Sequence, residues 1–471
     1  MAHSAHHSTF DAPISPLDGR YRHFTAELTA YFSEPALNRA RIEIEIEWMI
    51  FLCDRHIIDG LPTLSQAEQT YLRSLVDNFD TAAIERLAQY EQQTVHDVKA
   101  VEYLIKDHLD AAAEYLPDTC LPALRELVHL FATSEDVNNL AYALCVQRAT
   151  RQSWLPAARK VTEKLREAAR QWAQVAMLAR THGQAATPTT VGKELAVFAS
   201  RMERQLHRIE QAQYAGKFNG ATGTFGAHSI ACPEVDWPRI ARDFVTERGL
   251  DYTALTTQIE PHDWMIDLYA DMVHTARIAH NLATDMWTYI SLGYFSMRTE
   301  SASAVGSSTM PHKVNPIRFE NAEANCELAC AVYEQLAASL STSRMQRDLS
   351  DSSVLRNIGV AFGYSLVAFQ NLARGLAQID VNLPALKADL DNAWEVLAEP
   401  IQQVLRVASI HGRSAVTNPY EKLKELTRGQ QIDAATLRQF IADLDLPEET
   451  TRRLMDLTPA SYTGCAAHLV E

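Results

Sequence analysis

Residues 262–292 read HDWMIDLYADMVHTARIAHNLATDMWTYISL, a run of 31 residues bounded by Pro261 and Gly293 and free of both glycine and proline. Within it Met265, Leu268, Met272, Ala279, Met286 and Ile290 recur at spacings of three, four or seven. That is the period of one face of an α-helix. Leu195, Phe198, Met202, Leu206 and Ile209 repeat the pattern one segment earlier, and no glycine occurs between Gly60 and Gly183 or between Gly306 and Gly359. Long stretches without chain breakers favour long helices. Such stripes bury against other helices, so they read as core and not as a cofactor box. Helices this long carry more than one apolar face, which predicts a bundle extended by association of subunits.

Working outward, the punctuation divides the chain. GKFNGATGTFG crowds four glycines into 216–226, and THGQAATPTT interrupts the helical pattern at Gly183 and Pro188. Turns at LPDTCLP, HGRSAVTNP and LTRGQQ mark shorter helices toward both ends. The spacing predicts an all-α protein of three helical domains: an N-terminal domain over 1–120, a long central bundle over 121–378 and a C-terminal domain over 379–471. No tandem repeat is visible.

The chain has 471 residues, with 47% hydrophobic and 22% charged, and a formal net charge of −16. Acidity of that size argues against a nucleic-acid partner, because neutralising phosphates needs a basic surface. A small anionic substrate needs only a local cluster of cations. No apolar run approaches a membrane span, and the opening MAHSAHHSTFDAP lacks the apolar core of a signal peptide. Its histidines read as a leader, with metal binding as the weaker alternative. Seven cysteines stand without C-x-x-C spacing. Cys326 and Cys330 sit four apart, as neighbours on one helical face do. The reading is a reduced, cytoplasmic protein without a disulfide framework, metal or cofactor.

There is no G-x-x-x-x-G-K-[ST] loop and no H-E-x-x-H pair, and the glycines at 220, 223 and 226 lie in a helical context with the wrong spacing for a dinucleotide loop. What remains is polar clusters where the helical pattern pauses. TVHDVKAVEY holds His96 and Asp97, and ATSEDVNN holds Thr133 and Ser134. Either of the last two suits a helix N-cap, a place that also binds anions. ARTHGQAATP holds His182, TTQIEPHDW holds Gln258 and His262, and SRMQRDLSDSSVLRN brings Arg344, Arg347, Ser352 and Arg356 together. Each histidine alone is more often structural than catalytic. Together the clusters supply an acid–base histidine, a hydroxyl-bearing loop and several cations. That is equipment for removing a proton next to a carboxylate while protonating a leaving group.

The stretch GSSTMPHKVNP, Gly306 to Pro316, resembles the G-S-S-x-M-P-x-K-x-N-P loop of the fumarase/aspartase superfamily. SPLDGRY, HDVKAVEY, TSEDVNN, RTHGQAATP, TTQIEPHD and QRDLSDSSVLRN narrow the resemblance to the adenylosuccinate lyase family in its longer bacterial form, over nearly the whole chain. Fumarases and argininosuccinate lyases typically carry leucine where Gly183 follows Thr-His, and fumarases usually have glycine where His312 stands.

The resemblance implies β-elimination of fumarate from adenylosuccinate, giving AMP, and from succinylaminoimidazole carboxamide ribotide, giving the free carboxamide. Another superfamily lyase, such as one acting on argininosuccinate, is the alternative. By the family pattern Ser307 is the general base, helped by Lys313 and backbone donors, and His182 is the general acid, with His96 beside it. Lys313 and Asn315 stabilise the dianion that forms when the proton leaves. Arg20, Tyr21, Asp97, Thr133, Ser134, Gln258, Asn321, Arg347, Ser352 and Arg356 match positions that contact nucleotide or succinyl group. Val95 departs from the polar residue usual before His-Asp. The family implies a homotetramer with sites shared among subunits.

Overall fold

A computed structural model of the chain describes residues 13–298, 310, 313–412, 418–427, 432–444 and 446–470. The histidine-rich leader and Ser307 lie outside them. The principal helices are α1 (Glu34–Asp54), α2 (Gln66–Asp77), α3 (Thr81–Thr94), α4 (Asp97–Ala111), α5 (Ser134–Ala149), α6 (Leu155–Gln171), α7 (Val191–Glu210), α8 (Asp263–Ser291), α9 (Ile317–Leu340) and α10 (Ile358–Ala377). Among the described residues the strands are no longer than three residues and pair only in twos. The protein is all-α, as the spacing predicts.

The breaker-free run at 262–292 becomes α8, a helix of 29 residues. Met265, Leu268, Met272, Ala279 and Met286 of its stripe are buried, as are Leu195, Phe198, Met202, Leu206 and Ile209 of α7. Pro156, at the second residue of α6, has no N–H for the carbonyl of residue 152 and crowds it. The backbone widens into a π-turn over Thr150–Trp154 just before it.

The chain divides into two compact units. The first comprises residues up to Ala158, Gln205–Arg277 and Ala324–Ala368; the second comprises Arg159–Arg204, Ile278–Glu323 and the chain from Phe369 onward. In the first unit α1 runs through the core. Ser33 Oγ accepts from Ala36 N at 3.2 Å to start it, and Trp48 packs on Phe218 and Phe244, with ring centroids 4.4 and 4.9 Å away. Ile42, Ile46, Leu72, Leu104 and Leu121 extend this core into α2 and α4. In the second unit Leu397, Ile401, Leu405, Leu437 and Leu454 form a separate apolar cluster near the C-terminus. Cys326 and Cys330 are both buried on α9, and none of the seven cysteines forms a disulfide. Among the described residues no helix is long and apolar enough to cross a membrane.

Candidate functional site

Two helix starts carry the polar clusters of the first unit. His96 is the N-cap of α4, and its Nδ1 accepts from Lys99 N at 3.2 Å. In the neutral ring the proton therefore sits on Nε2, on an imidazole whose side chain is half exposed. Val95, just before it, holds a left-handed φ of 51°. That is a strained conformation for a β-branched residue. Thr133 is the N-cap of α5, so Ser134 is its first residue. Both hydroxyls stand where the positive end of the helix dipole and its spare N–H groups favour an anion.

Beneath that helix start lies a buried ion pair. Lys217 Nζ stands 2.8 Å from Asp136 Oδ1, and both side chains are 0% exposed. The same carboxylate accepts from Thr133 N at 2.9 Å, Asn219 N at 2.9 Å and Gly220 N at 3.0 Å. Asn139 closes the arrangement, accepting from Lys217 N at 2.8 Å and donating to Lys217 O at 3.0 Å. The glycine-rich loop is thus stitched to the N-terminus of α5. At Gly223 the glycine allows backbone approach: a Cβ there would lie 2.3 Å from Thr256 O.

A chain of charge-assisted bonds joins the remaining candidates of this unit. Arg347 Nη1 donates to Gln258 Oε1 at 3.2 Å, and its Nη2 lies 3.0 Å from Glu135 Oε1. Glu135 accepts from Asn138 Nδ2 at 2.8 Å, and Asn138 Oδ1 accepts from Arg41 Nε at 2.8 Å. Arg41 Nη2 reaches Asp97 Oδ2 at 2.8 Å, and Arg356 Nη2 reaches the same oxygen at 3.1 Å. Arg356 Nη1 donates to Ser352 Oγ at 2.8 Å. Gln258, Arg347, Asp97, Ser352 and Arg356 therefore belong to one network. Arg41, Glu135 and Asn138, which the sequence did not single out, connect it. Burial works to raise the Asp97 carboxyl, but Arg41, Val98 N–H and Arg356 outweigh it and hold it below the usual range. For the almost fully buried Glu135, burial wins and its carboxyl is raised despite Arg347.

Arg20 is exposed and forms no ion pair among the described residues, whereas Tyr21 packs against Leu17, Phe24 and Val367. In the second unit, His182 occupies the tip of a hairpin in which Arg180 pairs with Ala185 and Thr181 with Gln184. His182 and Gly183 both have positive φ, 53° and 74°. Two such residues in a two-residue loop make a type I′ turn, which explains the glycine. Lys313 N donates to Met310 O at 3.0 Å in irregular chain that ends where α9 begins. Asn315 lies half-buried in that stretch. Asn321, on the first turns of α9, accepts from Asn371 Nδ2 at 2.9 Å.

Glu260 sits two residues past Gln258. Its carboxylate accepts from His262 N at 2.7 Å and from the Thr253 hydroxyl at 3.1 Å, yet burial pushes its pKa up to about 7 from an ordinary 4.5. A carboxyl that binds its proton more tightly when folded lends stability that is complete below pH 4.5 and lost as pH rises through 7. The difference corresponds to roughly 3 kcal/mol. His262, buried and lowered to about 4, slopes the other way: its contribution is present above 6.5 and lost as pH falls through 4. Glu260→Gln is therefore expected to be more stable than the parent above pH 7 and to lose that advantage toward pH 4.5. Thermal denaturation of both proteins across this range checks it; parallel profiles would contradict the assignment.

Residues 19–330 match the family model described as lyase, and residues 343–463 match that of the adenylosuccinate lyase C-terminal region. The chain is 47% identical over 458 residues to an adenylosuccinate lyase of Legionella pneumophila (strain Corby), covering 97% of this chain and 98% of that protein. It is 44% identical over 458 residues, with the same coverage, to an adenylosuccinate lyase of Escherichia coli (strain K12). Among solved structures it is similar to a fumarate lyase from Mesorhizobium sp. BNC1, with a TM-score of 0.73, 17% identity and coverage of 95% of this chain and 97% of that one. The 3-carboxy-cis,cis-muconate lactonizing enzyme from Pseudomonas putida follows at a TM-score of 0.70, 19% identity, and coverage of 95% and 96%. At such identities the likeness shows the fold alone.

Proposed function

The chain belongs to the adenylosuccinate lyase family, and from that premise we propose that it eliminates fumarate from adenylosuccinate and from succinylaminoimidazole carboxamide ribotide with the residues named above. It is a carbon–nitrogen lyase. The observation that carries the reading is near-full-length identity at 47%. The gathering of Arg347, Arg356, Ser352 and the α5 N-terminus in one unit is what an anionic nucleotide requires.

In this reading Ser307, as an alkoxide, takes the Cβ proton of the succinyl group. The electrons left behind spread into the neighbouring carboxylate as an aci-carboxylate dianion, which Lys313 and Asn315 stabilise. The C–N bond then breaks as the Cα=Cβ bond of fumarate forms. His182 delivers a proton to the departing nitrogen of AMP or of the carboxamide, with His96 assisting. Arg20, Tyr21, Asp97, Thr133, Ser134, Gln258, Asn321, Arg347, Ser352 and Arg356 bind the nucleotide and succinyl groups. The functional division at residues 120 and 378 belongs to the same reading.

The enzyme works as a homotetramer whose sites draw residues from several subunits, and it resides in the cytoplasm. Support for the first is the length of α8 and α9 and the exposed apolar residues on their surfaces, Trp287 and Leu328. Support for the second is that the seven cysteines form no disulfide, which suits a reducing compartment. The deciding experiment is fumarate release from adenylosuccinate, followed spectrophotometrically, beside argininosuccinate. Turnover of adenylosuccinate alone is the expected result. Turnover of argininosuccinate alone would move the chain to the alternative lyase, and a fully active monomer in sedimentation would end the shared-site reading.

A further inference from the structure

Arg356 is poorly placed to grip an anion with two parallel N–H groups in this structure, because each of its three nitrogens already donates. Nε donates to Glu34 Oε1 at 3.0 Å, Nη2 to Asp97 Oδ2 at 3.1 Å, and Nη1 to both Ser352 O at 2.9 Å and Ser352 Oγ at 2.8 Å. A phosphate or carboxylate is gripped best by two parallel N–H groups along one edge of a guanidinium. One edge here faces two carboxylates, and the remaining nitrogen faces Ser352. An incoming anion must displace a resident.

The residents are not equally held. Asp97 also takes Arg41 Nη2 at 2.8 Å and Val98 N at 2.9 Å, and Arg41 is itself buried and anchored by Asn38 at 2.7 Å. Glu34 has Arg356 as its one ion-pair partner among the described residues, and its side chain is 57% exposed. It stands in the first turn of α1, where a carboxylate is stabilised by the helix dipole even without a partner. Glu34 is the carboxylate that yields. Behind the pair, the buried Tyr142 hydroxyl has no hydrogen-bond partner among the described residues. It lines, with Ser33, Glu34, Leu355 and Arg356, a cavity of about 20 Å³, room for one water or one ligand oxygen. The Tyr142 hydroxyl therefore faces a small cavity that Glu34 and Arg356 also line.

We propose that Glu34 is a specificity-determining residue: it occupies Arg356 in the free enzyme and competes with the anionic group of the substrate. A nucleotide held at several further points displaces it, whereas a small free anion such as inorganic phosphate does not. The proposal rests on the functional reading above, through the assignment of Arg356 as an anion clamp.

The test uses the full chain and Glu34→Gln, which keeps the side chain's shape and the start of α1; equal melting temperatures would establish that folding is intact. KM and kcat for adenylosuccinate are measured by fumarate release, with inorganic phosphate as competitor. The partly exposed competing pair predicts a KM lowered about two- to fivefold in the variant. At least as large a drop is expected in the inhibition constant for phosphate, with kcat at the parent level. An unchanged or raised KM overturns the proposal, because Glu34 then is inert or orients Arg356 for binding. If the parent protein fails to turn over adenylosuccinate, the functional reading falls on its own. Calorimetric titration of both proteins with inorganic phosphate still decides the role of Glu34: tighter binding by the variant supports it, and equal binding overturns it.

Discussion

Ser307→Ala is expected to lose turnover by about 10²–10⁴-fold while still binding substrate. In the proposed mechanism the hydroxyl is needed only where the Cβ proton is in flight. In the proposed site the ground-state complex rests on other groups: Arg347, Arg356 and the helix start at Thr133 and Ser134, all within one bonded network or beside it. A group used only in the transition state lowers kcat and kcat/KM together and leaves affinity in place. His182→Ala should show the same pattern, since the nitrogen would then depart without a proton. Ser307 and His182 come from different segments of the chain, so in a tetramer with shared sites they can be supplied by different subunits. Mixing the two inactive variants under subunit-exchange conditions should restore part of the activity. Near-normal turnover by Ser307→Ala would mean the base lies elsewhere. Demonstrated exchange without recovery would mean that Ser307 and His182 of a site are not supplied by different subunits.

The second large effect is on stability. Lys217→Met leaves the Asp136 carboxylate wholly buried without its cation, and Asp136→Ala leaves the Lys217 ammonium and three backbone N–H groups without an acceptor. Breaking a buried pair from one side costs about 3–5 kcal/mol, and the Asp136 variant should be the worse because more donors are stranded. Replacing both, as Asp136→Ala with Lys217→Met, should cost less than the sum of the single changes. Denaturant unfolding of the four proteins measures this. A Lys217→Met cost below about 1 kcal/mol would show that the backbone donors alone hold the carboxylate.

Local signals were legible; long-range charge partners were not. The 31-residue run at 262–292 announces α8 because burial on one face imposes its period directly on the sequence. The N-cap at Thr133 was readable ahead of apolar periodicity, whereas His96 was legible as a polar pause but not as a cap. By contrast, Arg41 and Asp97 are 56 positions apart, and Asp97 and Arg356 are 259 apart. Periodicity reports which face is covered, not which charges meet there. Nothing in the spacing around Asp136 and Lys217 tells that the two meet. One clue was available: LAYALCV follows SEDVNN without a polar face, so the acids of that helix start had to enter the core with it. The two-residue strands left no trace, because alternation needs four or more residues to be seen.

The hairpin that carries His182 has a further meaning for how this enzyme can change. Its reversal consists of two residues, both in left-handed conformation, between strands of two residues each. One residue inserted between Thr181 and Gln184 would have either to rebuild the reversal as a three-residue loop or to slip the pairing by one, which turns every side chain of the slipped strand to the other face. Exposed loops ordinarily absorb length variation freely. Here the same exposure hides a fixed count, and insertion scanning across this surface should find a sharp gap in tolerance at the very tip.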